Sequence, residues 1–404
     1  MPCAAHCGPV IFFLTCAMDE HPAAREFSVL DKKYLVWNEN APRAFFCSGG
    51  SLMSSQPRSP ERQRDIRETC VSIGPVHTLC ALHVLANMAS IESSPVDASE
   101  RQTRTHLMRL FDANGFHPRS DLGQNFLIDL NLIEFVVRHA ELDSRDVALE
   151  IGTGTGGMTT FLAARAGHVV TVEVDKNVHM LAMAATSGLD NVTLLHTDAL
   201  KNKNQLHPEV LDTVRRELAR EPDRRLKLTA NLPYHVAAPI IGNLIATDLP
   251  WERMVVTVQF EMGERMLAAP RTGEYGAMAI WLQSQCQIQI LKKLGPQVFW
   301  PRPQVDSAIV LVTPDPELAA KIEHREFFHD FLRRVFTLRR KHLRAAIATV
   351  YKGDIERPQI VELLEGMGLG ENARAEEIDV ATLVELANRM FRVMGTACLK
   401  ENGK

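Results

Sequence analysis

The sequence predicts an α/β domain built on a mostly parallel sheet, followed by a small all-helical domain. From Thr103 onward, short apolar runs alternate with amphipathic stretches, which is the pattern of strands and helices following one another along a chain. Beyond Pro314 the strand signals stop and only helical patterns continue. Alternating strands and helices imply parallel strands joined by right-handed crossovers. We therefore divide the chain into residues 1–95, which we leave unassigned, an α/β domain at 96–314 and a helical domain at 315–404.

Short apolar segments are the candidate strands of this α/β domain, and the amphipathic segments between them are its candidate helices. The predicted strands are Val147–Ile151, Val169–Val174, Val192–His196, Leu226–Ala230 and Met254–Phe260. The predicted helices are Met158–Ala166, Lys176–Thr186, Glu209–Arg220 and Ala237–Thr247.

The C-terminal region is predicted to contain three helices, at Arg325–Val350, Arg357–Met367 and Ala375–Val393. The first of them concentrates positive charge in Arg325, Arg333, Arg334, Arg339, Arg340, Lys341 and Arg344. Because the whole chain has a formal net charge of -4, any contact with nucleic acid must come from local clustering of this kind. A merely solvated helix face is the alternative interpretation.

The first 95 residues show neither sustained helical periodicity nor clean strand alternation, and they hold most of the cysteines. Cys3, His6 and Cys7 could begin a metal site, but no second spaced pair completes four ligands, so we predict no metal. The apolar run Val10–Phe13 is too short to span a membrane, and no basic segment precedes it as in a secretory signal. We expect this segment to be dispensable, with Met88 as an internal start. A targeting or partner-binding extension is the alternative.

A glycine-rich turn follows the first predicted strand of the α/β domain. The run Glu150-Ile151-Gly152-Thr153-Gly154-Thr155-Gly156-Gly157 leads from that strand into a helix. The chain must turn sharply there with its backbone exposed to a ligand, and glycine permits both. The spacing of these glycines also fits G-x-G-x-x-G, so the loop alone does not separate a nicotinamide cofactor from S-adenosylmethionine in a Rossmann-like sheet.

Acidic residues follow the next two predicted strands. Glu173 closes the second strand about twenty residues after the glycine loop, where a carboxylate can accept both hydroxyls of a ribose. Asp198 follows the third strand and could accept a hydrogen bond from the amine of a bound adenine. A surface glutamate and a helix N-cap are the respective alternatives. Successive strand ends that each offer a ligand-facing group favour a binding crevice over either alternative.

The run Asn231-Leu232-Pro233-Tyr234 after the fourth strand supplies a polar amide, a stiffened backbone and an aromatic face together. An aromatic amine is a poor nucleophile, because its lone pair is delocalised into the purine ring. If the Asn231 side-chain oxygen and the Leu232 carbonyl accept the two amine hydrogens, the nitrogen can pyramidalise and aim its lone pair at a sulfonium methyl. Tyr234 would then stack on the base and hold it out of the RNA. Such an in-line displacement needs neither a metal nor a covalent intermediate.

These motifs, in this order, resemble the ribosomal RNA adenine dimethyltransferase family from about Leu107 to Met390. The resemblance implies a class I methyltransferase sheet that binds S-adenosylmethionine, and an RNA-facing helical domain. It implies contacts with this methyl donor for Asn125, Leu127, Gly152, Glu173, Asp198 and Asn231. Further matches are Leu122–Leu127, Gln259–Leu267, Tyr275-Gly276, Phe299–Ser307, Phe336–Arg344 and Arg374–Glu377.

The resemblance further implies dimethylation of the exocyclic amine of adenosines in small-subunit (16S) ribosomal RNA, during ribosome biogenesis. We expect a cytoplasmic monomer whose partner is that RNA or the immature small subunit, and which does not bind membranes. Leu232 and Pro239 favour this branch over resistance methyltransferases that act on large-subunit RNA. His235 and Asp121 depart from the usual pattern and leave RNA affinity and rate open. A non-catalytic ribosome-assembly factor is a second alternative, and a nicotinamide-dependent oxidoreductase would not account for Asn231–Tyr234.

Overall fold

The computed structural model describes residues 33–36, 45–48, 71–72 and 103–395. The chain divides into two compact units, Met1–Asp97 and Ala98–Lys404. In the first unit, β1 (Lys33–Val36), β2 (Phe45–Ser48) and β3 (Val71–Ser72) form an antiparallel sheet in that order. The metal interpretation of Cys3, His6 and Cys7 and the proposed start at Met88 lie outside the described residues.

The second unit is built on a seven-stranded mixed sheet. Its strands are β5 (Asp146–Ile151), β6 (His168–Glu173), β7 (Val192–His196), β10 (Arg225–Asn231), β11 (Trp251–Gln259), β12 (Cys286–Leu294) and β14 (Ser307–Pro314). They lie in the order β12-β14-β11-β10-β5-β6-β7. The neighbouring strands β11, β10, β5, β6 and β7 pair in parallel, whereas β14 runs antiparallel to both β11 and β12. The predicted parallel core is therefore confirmed, and two strands that the sequence analysis did not identify extend it at one edge.

Two short strand pairs lie outside this sheet. They are β4 (Phe126–Leu127) with β13 (Phe299–Trp300), and β8 (Leu200–Asn202) with β9 (Gln205–Leu206).

Helices cover both faces of the sheet. In chain order they are α1 (Arg104–Ala113), α2 (Leu130–His139), α3 (Gly157–Ala163), α4 (Lys176–Thr186), α5 (Pro208–Leu218), α6 (Tyr234–Ala246), α7 (Phe260–Met266) and α8 (Ala277–Gln283). Side chains alternate across a strand, so Val147 and Leu149 of β5 pack in one core with α5 and α6, whereas Ala148 packs in a second core with α2 and α3. No helix within residues 103–395 is long and apolar enough to cross a membrane.

The C-terminal segment contains α9 (Pro316–Ala319), α10 (Arg325–Val335), α11 (Leu343–Val350), α12 (Arg357–Glu365) and α13 (Val380–Met394). Buried aromatic side chains of α10, such as Phe328 and Phe331, belong to the same core as the α5–α6 face of the sheet. Trp281 of α8 packs against Phe328 with ring centroids 6.2 Å apart, and the Tyr275 hydroxyl donates to the Ile378 carbonyl at 2.9 Å. The helical segment and the sheet therefore share one continuous core.

The predicted helix at Arg325–Val350 is wrong in one respect, because it is two helices. After α10 the chain makes a 3-10 turn at Phe336–Leu338 and leaves the helical path. The Leu343 amide donates to the Ala373 carbonyl at 2.7 Å, and His342 forms a β-bridge with Arg374. These tertiary hydrogen bonds replace the intrahelical ones, so residues 339–341 lie on a connection between α10 and α11.

Candidate active site

A cleft of about 850 Å³, including space open to solvent, lies where β5, β6, β7 and β10 end. Ligands of open α/β sheets bind at the carboxyl ends of the strands, so this is the expected position for a site. The cleft is lined by Leu122–Phe126, Ile151, Gly152, Gly154, Val172–Val174, Thr197–Ala199 and Asn231–Val236. All the predicted site residues except Leu127 are thus brought together.

The glycine loop comes close to two other parts of the cleft. Gly152 and Gly154 have φ angles of 83° and 57°, a region that residues with a side chain rarely adopt. A Cβ atom on Gly152 would lie 3.3 Å from Pro233, and one on Gly154 would lie 3.1 Å from the ring of Phe126. The loop therefore needs glycine both for its turn and for this close packing.

The Glu173 carboxylate is held by backbone amides at the end of β6. One oxygen accepts from the Gly154 amide and the other from the Asp175 amide, both at 3.0 Å. Burial to 7% exposure raises the pKa of Glu173, and these two hydrogen bonds oppose that rise. The carboxylate is fixed in direction at the cleft, and its remaining lone pairs can accept from a ligand.

A second carboxylate, Glu150, lies behind the glycine loop. It is 1% exposed, and one oxygen accepts hydrogen bonds from the Thr159 hydroxyl at 2.6 Å and the Thr171 hydroxyl at 2.7 Å. Burial raises the pKa of Glu150 to about 7, although these two hydrogen bonds favour the charged form. Glu150 joins β5 to β6 and to α3 beneath the loop, so it supports the site without lining it.

Asp198 lies exposed at the cleft edge, between Thr197 and Ala199. Its Oδ1 accepts from the Leu200 amide at 2.8 Å. The chain continues into β8 and not into a helix, so the helix N-cap interpretation of Asp198 is wrong.

The side chain of Asn231 is oriented by a hydrogen bond to another residue that lines the cleft. Its Nδ2 donates to the Asn125 carbonyl at 2.8 Å. A carbonyl can only accept, so the amide nitrogen must face Asn125 and the Oδ1 must point the other way. The next residue, Leu232, is fixed by its amide, which donates to the Thr257 carbonyl of β11 at 3.1 Å. The Asn231 side chain is thus oriented, and the backbone that carries the Leu232 carbonyl is anchored at the Leu232 amide.

Tyr234 begins α6, and its ring is held at the far end. The hydroxyl lies 2.7 Å from the Ser307 hydroxyl, which is buried at the start of β14. Burial raises the pKa of Tyr234, so the phenol stays protonated near neutral pH.

Leu127 is the one predicted donor contact that does not line the cleft. Its side chain is 8% exposed in the core, and its backbone pairs with Phe299 in the β4–β13 ladder. The neighbouring Phe126 lines the cleft instead, with its ring centroid 5.4 Å from that of Phe111 and 6.1 Å from that of Trp300. Phe126 was missed, although an aromatic residue inside a motif predicted to contact the donor was a usable signal.

The basic residues of the helical domain differ in how they are used. Four of them make internal contacts: Arg325 with Ile245 and Gln285, Arg334 with Asp330, Arg339 with the carbonyls of Gly273 and Tyr275, and Arg344 with Glu371. Arg333, Arg340 and Lys341 are exposed, and no carboxylate of the described residues pairs with them within 4.0 Å. These three side chains are the part of the cluster that is available to an external anion.

The described residues contain no group of three or more His, Cys, Asp or Glu side chains arranged to hold a metal ion.

The sheet order, the glycine loop and the acid at the end of β6 define a class I methyltransferase fold. The family model for ribosomal RNA adenine dimethylase matches residues 115–391, and the chain belongs to that family. It is 34% identical over 288 residues to ribosomal RNA small subunit methyltransferase A of Pediococcus pentosaceus, covering 71% of this chain and 94% of the relative. It is 35% identical over 283 residues to the protein of that name from Geobacillus thermodenitrificans, covering 69% and 94%.

Among solved structures, a dimethyladenosine transferase from Plasmodium falciparum superposes with a TM-score of 0.53 at 23% identity, covering 66% of this chain and 97% of that one. This likeness supports the fold.

Proposed function

We propose that this protein dimethylates the exocyclic amine of adenosines in small-subunit ribosomal RNA, with S-adenosylmethionine as methyl donor. The observation that carries the proposal is the orientation of Asn231, whose Nδ2 is bound to the Asn125 carbonyl so that Oδ1 is presented as an acceptor. The family membership and the names of the relatives support the same substrate.

The cleft fits the proposed donor. Glu173 offers an oriented, buried carboxylate for two ribose hydroxyls, and Asp198 offers an exposed carboxylate at the end of β7 for an adenine amine. The loop that carries Gly152 and Gly154 packs closely against Pro233 and Phe126, which also line the cleft. Asn125 also lines the cleft, next to Asn231. When bound, S-adenosylmethionine supplies an electrophilic methyl group on a sulfonium.

The chemistry asked of the protein is to make an aromatic amine nucleophilic. The Asn231 Oδ1 and the Leu232 carbonyl accept the two amine hydrogens, which draws the nitrogen out of conjugation with the ring. Because both acceptors are fixed before the base arrives, little reorganisation remains for the transition state. Each transfer would replace one amine hydrogen by methyl, and the nitrogen would release the displaced proton to water. One hydrogen then still pairs with one acceptor, so a second transfer can follow in the same site.

Tyr234 supplies an aromatic face at the mouth of the cleft, on which an extruded adenine stacks. The exposed Arg333, Arg340 and Lys341 supply positive charge for phosphates of the surrounding RNA. This division leaves base recognition to the cleft and RNA affinity to the helical domain.

The test is methyl transfer by the full chain to immature small subunits, with labelled S-adenosylmethionine and mapping of the modified bases. We expect dimethylated adenosines in small-subunit RNA, and no transfer to large-subunit RNA presented in parallel. Transfer to large-subunit RNA alone would assign the protein to the resistance type. Subunit binding without any transfer would indicate an assembly factor.

A further inference from the structure

The far end of the Tyr234 ring is held by the buried Ser307 hydroxyl, which lies 2.7 Å from the tyrosine hydroxyl. Ser307 is fully buried, and its backbone pairs with Gln259 of β11 on one side and Leu294 of β12 on the other. The preceding residue, Asp306, accepts a hydrogen bond from the Phe260 amide at 2.9 Å through its carbonyl. Ser307 is therefore held from three directions, and it cannot follow a displacement of the tyrosine.

Tyr234 is the first residue of α6 and follows Pro233. Its ring is partly exposed at the cleft. A hydroxyl 2.7 Å from a rigid partner restricts the ring to one orientation, whereas loss of that partner would leave a half-buried phenol that regains a hydrogen bond only by turning towards water.

We infer that Ser307 is a positioning residue for methyl transfer, which holds the Tyr234 ring in the plane where it stacks on the target adenine. Ser307 does not touch the substrate and acts only through the tyrosine hydroxyl. The inference rests on the proposed function, because stacking by Tyr234 is part of it. It also gives β14, the antiparallel strand that the sequence analysis missed, a direct part in aligning the base.

The experiment is a double-mutant cycle on the full chain with Ser307→Ala, Tyr234→Phe and the combined variant. Single-turnover methylation of immature small subunits, donor affinity by calorimetry and the thermal midpoint are measured for each. We expect either single substitution to slow transfer roughly five- to tenfold, which is the size of one net hydrogen bond, with donor affinity within about twofold of wild type. The combined variant should be no slower than the slower single variant, because both substitutions remove one bond.

A matched control is Thr229→Val, which removes a hydroxyl that is also fully buried, lies two strands away on β10 and has no hydrogen-bond partner among the described residues. This variant should transfer methyl at the wild-type rate. If Ser307→Ala lowers the thermal midpoint strongly, the transfer rate of Tyr234→Phe alone tests the inference. That substitution removes the tyrosine hydroxyl from the same hydrogen bond without changing the sheet.

Wild-type rates in both single variants would overturn the inference, and so would losses that multiply in the combined variant. A fall in donor affinity equal to the fall in rate would also overturn it, because that result indicates a general structural role. Failure of the wild-type protein to methylate any subunit RNA would refute the proposed function instead, so the two failures are distinguishable.

Discussion

Replacing Asn231 by alanine should separate the chemistry of the site from its binding of the donor. The substitution removes Oδ1, the proposed acceptor for one amine hydrogen. Loss of one preorganised polar group at a reacting centre typically costs about 10²- to 10³-fold in rate, which is about 3 to 4 kcal/mol. We therefore expect single-turnover transfer to fall at least about a hundredfold.

The same substitution also breaks the 2.8 Å hydrogen bond from Nδ2 to the Asn125 carbonyl, which lines the cleft. A neutral hydrogen bond is worth about 1 kcal/mol net, so donor affinity should fall by no more than about fivefold. The two losses thus differ by more than an order of magnitude.

The assay is single-turnover methylation at saturating donor, with donor affinity measured separately by calorimetry. Asn191→Ala is the matched control, because Asn191 also donates through Nδ2 to backbone carbonyls, those of Ala163 and Ala166, but lies away from the cleft. It should lower stability and leave the rate unchanged. Near-normal transfer by Asn231→Ala would refute amine orientation, and equal losses in rate and donor affinity would assign Asn231 to donor binding alone.

Four further predictions address the other parts of the molecule. Glu173→Ala should weaken donor binding at least about tenfold in calorimetry, since each charge-assisted hydrogen bond is worth roughly 1.5 to 3 kcal/mol, and unchanged affinity would remove Glu173 from the site. Neutralising Arg340 and Lys341 together should reduce the salt dependence of subunit binding by roughly 0.7 to 0.9 per lost phosphate contact, whereas an unchanged slope would restore the solvated-face interpretation. Burial raises the pKa of Glu150 from 4.5 to about 7, so the native state binds a proton that the unfolded state releases, and stability should fall as the pH rises between these values. Denaturant unfolding of Glu150→Gln should lose that component of the pH dependence, and an unchanged profile would contradict the assignment. Residues 88–404 should match the full chain in thermal stability, donor affinity and subunit methylation, and a marked loss of activity would show that the removed segment is needed.

The centre of the parallel sheet could be predicted because β5 and β6 are buried at every position and their sequences are largely apolar. The strand β5 is buried at every position, and its predicted bounds were correct to one residue. The strand β12 was missed because it lies at the sheet edge, where residues such as Gln287 and Lys292 interrupt the apolar pattern. A half-exposed edge strand carries a weaker periodic signal than a buried one.

The cleft could be predicted for a topological reason: parallel strands bring their carboxyl ends to one edge, so residues after successive strands meet. What the sequence could not show is how side chains far apart in the chain orient one another. The Asn231 amide is turned by a carbonyl 106 positions away, and Tyr234 is held by a hydroxyl 73 positions away. The break between α10 and α11 also depends on a residue distant in the chain, because the Leu343 amide donates to the Ala373 carbonyl. The helical periodicity around Leu343 could not predict that hydrogen bond.

The shared core described above has a consequence for how this chain can be divided. A cut at residue 314 follows the change of pattern in the sequence, yet it would separate Phe328, which is 1% exposed in the intact chain, from Trp281, whose ring centroid lies 6.2 Å away. It would also remove the carbonyl of Ile378 that pairs with the Tyr275 hydroxyl. The change of secondary-structure pattern at residue 314 therefore does not mark the edge of the hydrophobic core. Neither part carries a complete apolar interior, so the proposed RNA-binding surface and the candidate active site depend on the same hydrophobic core.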